Sequence, residues 1–111
     1  MQLPEFIRAF HGIDLPMPQD AVSTHAIRSE QGLMVIFSAH KDIAVPPHSH
    51  KGQWGTVLEG ELELTIGGQT RVYKPGESYD IPSGVEHSAR LSAGSKVIDI
   101  FEEPDRYALR S

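Results

Sequence analysis

The hexapeptide Glu61-Leu62-Glu63-Leu64-Thr65-Ile66 alternates polar and apolar residues without a break and runs straight into Gly67-Gly68. A period of two puts Leu62, Leu64 and Ile66 on one face of a strand and the polar residues on the other, a pattern that no amphipathic helix shows. Two consecutive glycines supply the positive φ angles of a tight hairpin, so Gln69 to Tyr73 is expected to return antiparallel. Similar short runs cover Ala21 to Arg28, Gly32 to Ala39, the segment around His48, Gln53 to Leu58, Ser78 to Ile81, His87 to Leu91 and Lys96 to Phe101. Glu59-Gly60, Lys74-Pro75-Gly76 and Pro82-Ser83-Gly84 supply the connections between them. Many short strands punctuated by glycine and proline, with no long helical period, predict an all-β sandwich or barrel.

Residues 1–20 carry Pro4, Pro16 and Pro18 with little periodicity and read as an irregular arm, with one helical turn near Glu5 to Phe10. Such an arm is expected to pack on a partner, and residues 21–111 are expected to form the barrel domain. A chain of 111 residues suffices for one core and leaves no room for a second. Its net charge of −5, with ten Lys and Arg scattered along the chain, argues against a nucleic-acid partner, which needs a concentrated basic surface. A membrane role is equally unsupported, since no apolar run approaches about 18 residues. The start, Met1-Gln2-Leu3-Pro4-Glu5, has an acidic residue and a proline where an export signal needs a basic start and an apolar run, so a cytoplasmic protein is expected. Because the sequence contains no cysteine, any metal must be held by nitrogen and oxygen. An apolar fraction of 39% is lean for a compact domain, and the strand surface it leaves uncovered makes a homodimer the expected assembly.

Histidines carry the chemistry. In Pro46-Pro47-His48-Ser49-His50 two imidazoles alternate, which on a strand aims both to one face, and His87 follows the turn Pro82-Ser83-Gly84 on another predicted strand. Three imidazoles facing one small cavity would each need a hydrogen-bond partner, whereas one divalent ion satisfies all three.

These two segments together resemble the cupin family. Gly76, Pro82, Gly84 and His87 stand at the spacing of its second motif, and His48, His50 and Gly60 fit its first. The chain departs from the pattern at Asp42 and Leu91, where the family usually has Gly and Asn. Gln53 occupies the place of the usual Glu, with one residue fewer between it and His50. The resemblance, which covers roughly residues 35 to 103, implies a single-domain double-stranded β-helix, or jelly-roll barrel. It also implies one divalent metal (Zn, Ni, Fe, Mn or Cu) on His48, His50 and His87. Gln53 is either a fourth ligand or a near neighbour, and a neutral amide there leaves the site one charge more positive than Glu would.

The expected function is metal-dependent chemistry of dioxygenase, isomerase or decarboxylase type on a small anionic or oxygenated metabolite. The competing reading is a non-catalytic module that binds a small ligand, and the fold does not choose between them. Tyr73, Tyr79 and Arg90 are candidates for the pocket or its rim. Trp54 should point away from Gln53 into the core or an interface, and His11, His25 and His40 lie outside both motifs. The segment from Phe101 to Tyr107 resembles the tail of small cupins, which crosses the barrel mouth or the dimer seam.

Overall fold

A computed structural model describes residues 1–110. After one short helix, α1 (Glu5–Arg8), come β1 (Val22–Arg28), β2 (Leu33–Ala39), β3 (Ile43–His48), β4 (Gln53–Glu59), β5 (Leu62–Ile66), β6 (Gln69–Tyr73), β7 (Ser78–Ile81), β8 (His87–Leu91) and β9 (Lys96–Phe101). They form two antiparallel sheets, one in the order β1-β2-β9-β4-β7 and the other in the order β3-β8-β5-β6. From β6 onward each successive strand crosses to the opposite sheet, which makes the two sheets a jelly roll and gives the all-β, single-domain fold that the punctuation predicted.

Alternation builds the core. Leu62 and Leu64 of β5 meet Val57, Tyr79, Ile81 and Val97 of the facing sheet, and all six are buried. The hairpin forms as expected, with Ile66 opposite Gln69 and positive φ at Gly67 and Gly68. Gly60, Gly76 and Gly84 also take positive φ (79°, 87° and 82°), the conformation that fixes the turns between motif strands. Prolines 46 and 47 are tolerated inside β3 because it is the outer strand of its sheet, where a missing N–H breaks no ladder on the open side.

Part of the amino-terminal arm packs on the chain's own barrel. Ile13 is 1% exposed, bridges Leu109 and joins Ala26, Leu33, Val35 and Phe101 in a second apolar cluster, while Met1 and Phe6 of the same arm stay exposed. Leu15, Pro16, Met17 and Pro18 then continue along the cavity between the sheets. No described helix is long and apolar enough to cross a membrane.

Candidate metal centre

His48 faces inward because the pleat of β3 is broken. Val45 pairs with Ala89 and His48 with His87, so three steps on β3 match two on β8. The extra residue is a β-bulge at Pro46-Pro47, and it reverses the side to which the next residue points. Without it Pro47 would oppose His87 and His48 would face away from the cavity. His50 corrects the sequence expectation in another way. It lies beyond the end of β3, so the turn, not the strand's alternation, brings it to the cluster.

Four backbone contacts pin that turn. The Lys51 and Gly52 amides donate to Glu103 Oε1 and Glu102 Oε1, each at 2.9 Å. The Glu102 amide returns a bond to the Gly52 carbonyl, and the Gly84 amide donates to the His50 carbonyl, both at 2.9 Å. The tail after β9 and the Pro82-Ser83-Gly84 turn thus hold His50 from two sides.

Each ring is oriented by a carbonyl. Nδ1 of His48 contacts the Pro46 carbonyl at 2.9 Å, Nδ1 of His50 that of Lys51 at 2.6 Å, and Nδ1 of His87 that of Val85 at 2.9 Å. A carbonyl only accepts, so every Nδ1 carries the hydrogen and every Nε2 of a neutral ring presents a lone pair. The three ligand atoms lie within 4.8 Å of one another, and His50 Nε2 stands 3.2 Å from His87 Nε2. Burial holds the pKa of both His50 and His87 below the ordinary imidazole range. The carbonyl bonds oppose that shift, while the neighbouring imidazoles and the Arg106 charge add to it.

Near pH 7 these two nitrogens therefore confront each other as lone pairs, an arrangement that a cation relieves. With metal–nitrogen bonds of about 2.1 Å, two ligands stand about 3.0 Å apart at a right angle and about 3.4 Å apart at the tetrahedral angle. The His50–His87 spacing falls between these values. The donor set is compatible with a divalent metal of the zinc, iron, nickel or copper type.

The cluster opens onto a cavity of about 840 Å³ between the sheets, with His48, His87 and Gln53 in its wall. Gln53 begins β4, inward-facing and in register with Phe101 of β9 and Ile81 of β7. Its amide neighbours the carboxyl of Asp99, a group that sequence reasoning missed. Asp99 is 7% exposed, and the Tyr79 hydroxyl donates to its Oδ1 at 2.5 Å. Burial pushes the Asp99 carboxyl up to about 6, against the hydrogen bonds from Tyr79 and Gln53, which favour the ionised form. Tyr79 is shifted upward too, first by burial and then by the Asp99 charge. Gly55, between these side chains, is the reason the pair fits, because a Cβ there would overlap both Asp99 Oδ1 and the Tyr79 hydroxyl. The inward positions of β9 are Val97, Asp99 and Phe101, so one acid breaking an apolar alternation was the available signal.

The other candidates separate by face. Tyr79 lies in the cavity wall, with Tyr73 buried edge-on against it at 5.4 Å between ring centroids. Arg90 is not at the rim of this cavity. It is exposed on the opposite face of its strand, beside Glu61, Glu63 and Val72. Trp54 does point away from Gln53, but it is 44% exposed and not in the core. His40 bonds to Ser23 Oγ and His11 to the Arg110 carbonyl, both away from the cluster. The tail does cross the cavity, where Arg106 and Tyr107 line it.

Comparison with known proteins agrees with this geometry. Residues 33–101 match the family described as "Cupin domain". Over 62 residues (54% of the chain, 18% of the relative) the sequence is 37% identical to quercetin 2,3-dioxygenase of Bacillus subtilis. It is 51% identical over 47 residues (40% and 25%) to the HTH-type transcriptional regulator PuuR of Escherichia coli, and 45% identical over 58 residues (50% and 25%) to H2HPP isomerase of Bacillus subtilis. The chain spans a quarter or less of the length of these curated relatives. Among solved structures it is similar to KdgF from a Halomonas species, with a TM-score of 0.72 at 26% identity, covering 86% of this chain and 88% of that one. It also shares its fold with an RmlC-like cupin from Shewanella frigidimarina, with a TM-score of 0.73 at 24% identity and 86% of each chain covered.

Proposed function

Since this chain belongs to the cupin domain family, we propose that it is a metal-binding cupin performing metal-dependent chemistry on a small metabolite. The ion would sit on His48, His50 and His87, with Gln53 as a fourth ligand or close neighbour. The observation that carries this reading is the convergence of three Nε2 lone pairs at the head of a cavity, each fixed by a carbonyl behind it. A bound divalent ion supplies Lewis acidity or oxygen activation there. The protein's own part is to exclude bulk water with the apolar walls and to hold a proton near the site on the Tyr79–Asp99 pair. Dioxygenase and isomerase names among the relatives support an enzymatic role. The likeness to a segment of a transcriptional regulator supports the second reading, a ligand-binding module without turnover.

Elemental analysis of protein made without a histidine tag, followed by oxygen uptake with phenolic and dioxo compounds, tests the proposal. One equivalent of divalent metal is expected. Oxygen uptake with iron, copper or manganese bound identifies an oxygenase, whereas full metal occupancy without turnover of any candidate favours the binding module.

Gln53→Glu restores the negative charge usual at this place, and it is expected to raise manganese or iron(II) affinity relative to zinc by about tenfold or more. Competition titrations of both proteins with both ions measure it. An unchanged preference would show that residue 53 does not touch the ion.

A homodimer is the proposed assembly. On the outer face of the five-stranded sheet Ile27 registers with Met34, Met34 with Ile100, and Ile100 with Trp54. Ile27, Trp54 and Ile100 are each more than two-fifths exposed, so the row offers a second copy an apolar strip. Light scattering at micromolar concentration should return twice the chain mass for the wild type and the chain mass for Trp54→Arg. A monomeric wild type contradicts the assembly.

A further inference from the structure

Arg106 lines the cavity wall on the tail that crosses it, its guanidinium packed 4.7 Å from the Tyr107 ring. Its Nε is buried without a hydrogen-bond partner, and none of the ion pairs among the described residues includes it. The nearby acids are already engaged. Asp99 accepts from Tyr79, Asp42 from the Ala93 amide, and Glu103 and Glu102 from the turn that carries His50. A guanidinium presents five donors in a planar fork suited to a carboxylate, and leaving a buried donor unmatched is costly. The rest of the wall is largely apolar, including Leu15, Met17, Ile43, Leu64 and Ile81.

We propose that Arg106 is the anion anchor of this cavity and that the ligand is a small carboxylate with an apolar body. Its carboxylate pairs with Arg106, and its apolar part lies between the sheets near the histidine cluster. This deepens the reading of the cavity as the site of the cupin's chemistry and rests on it. A neutral polar ligand leaves the Arg106 charge unpaired in the wall, and a larger polyanion such as a nucleotide finds no second Lys or Arg there, since Arg106 is the only one lining the cavity.

The test compares acids with their amides, which have nearly the same shape and no charge. Benzoate and benzamide, and 4-phenylbutanoate and 4-phenylbutanamide, are titrated calorimetrically into chelator-treated wild type, Arg106→Gln and Arg106→Lys proteins near pH 7. Wild type is expected to bind at least one acid about tenfold or more tighter than its amide, the range of a charge-assisted pair. Arg106→Gln should lose that preference and keep amide affinity within about threefold, with Arg106→Lys between the two. Equal binding of acids and amides by the wild type, no binding of either acid at about 20 mM, or a preference that survives Arg106→Gln overturns the proposal. Zinc titration of the same proteins separates this outcome from the metal reading. Stoichiometric zinc uptake by a protein that ignores carboxylates removes only the anchor, and a wild type that takes no zinc removes only the metal.

Discussion

Alanine in place of His87 is expected to lower zinc affinity by more than about 100-fold while the barrel stays folded. Loss of a group that merely orients a ligand typically weakens a site about 10- to 100-fold, and His87 is proposed as a ligand itself. It is 4% exposed, at the start of β8, and pairs across the ladders with His48 on one side and Ile66 on the other. Its truncation leaves two imidazoles, His48 at the end of β3 and His50 on the turn after it, with no third arm. The fold survives because His87 contributes little to the apolar core and its backbone ladder is unaffected, so a stability loss of about 1 to 3 kcal/mol is expected. Competition against a chromophoric chelator gives the affinity, and thermal unfolding of metal-free protein gives the stability. His48→Ala and His50→Ala should behave alike. Zinc affinity within about threefold of wild type in His87→Ala contradicts the three-histidine centre.

The second large effect is a pH dependence that Asp99→Asn removes. Folding raises the Asp99 carboxyl from 3.8 to about 6, so the native state binds this proton more tightly than the unfolded chain does. Its contribution to stability is full below the unfolded value and is lost as pH rises through the folded one. A rise of about 2 units corresponds to about 3 kcal/mol in order of magnitude. His25, His50 and His87 act with the opposite sign in an overlapping range. Burial lowers their pKa values, so their contribution is present above the ordinary imidazole value and is lost as pH falls. The wild-type curve alone therefore mixes two trends, and the difference between variant and wild type isolates one. Asparagine keeps an oxygen for the Tyr79 hydroxyl and carries no charge. In chelator-treated protein, the unfolding free energy of Asp99→Asn minus that of wild type should climb by about 3 kcal/mol between about pH 3.5 and pH 7. A difference that stays flat across that range would show that Asp99 titrates normally.

The strands were legible because their signal is local. Alternation in Glu61 to Ile66 and the turn chemistry of Gly67-Gly68 place β5 and β6 without reference to anything distant, and β6 to β9 begin and end at the expected residues. His87 was legible for a related reason, as the first residue of a strand after a proline-glycine turn. The route by which His48 and His50 reach it was not. A bulge is a mismatch between two strands, so nothing in Pro46-Pro47-His48 alone reveals that the extra residue falls there and turns His48 inward. His50 owes its position to Glu102 and Glu103, about fifty residues away, and that contact exists only once the tail has crossed the mouth. Asp99 left a faint trace as an acid at an inward position of β9, but its meaning depends on Tyr79 two strands away and on the missing side chain at Gly55. Arg106 sits in a segment without periodicity, where only the resemblance to the small-cupin tail pointed toward the cavity.

The most direct measurement of the central claim is X-ray absorption spectroscopy of wild type and His87→Ala loaded with one equivalent of zinc. The account predicts three imidazole nitrogens at about 2.0 to 2.1 Å in the wild type, with fewer in the variant at whatever occupancy remains. A wild-type shell without three imidazoles, or the same imidazole count in both proteins, would contradict it.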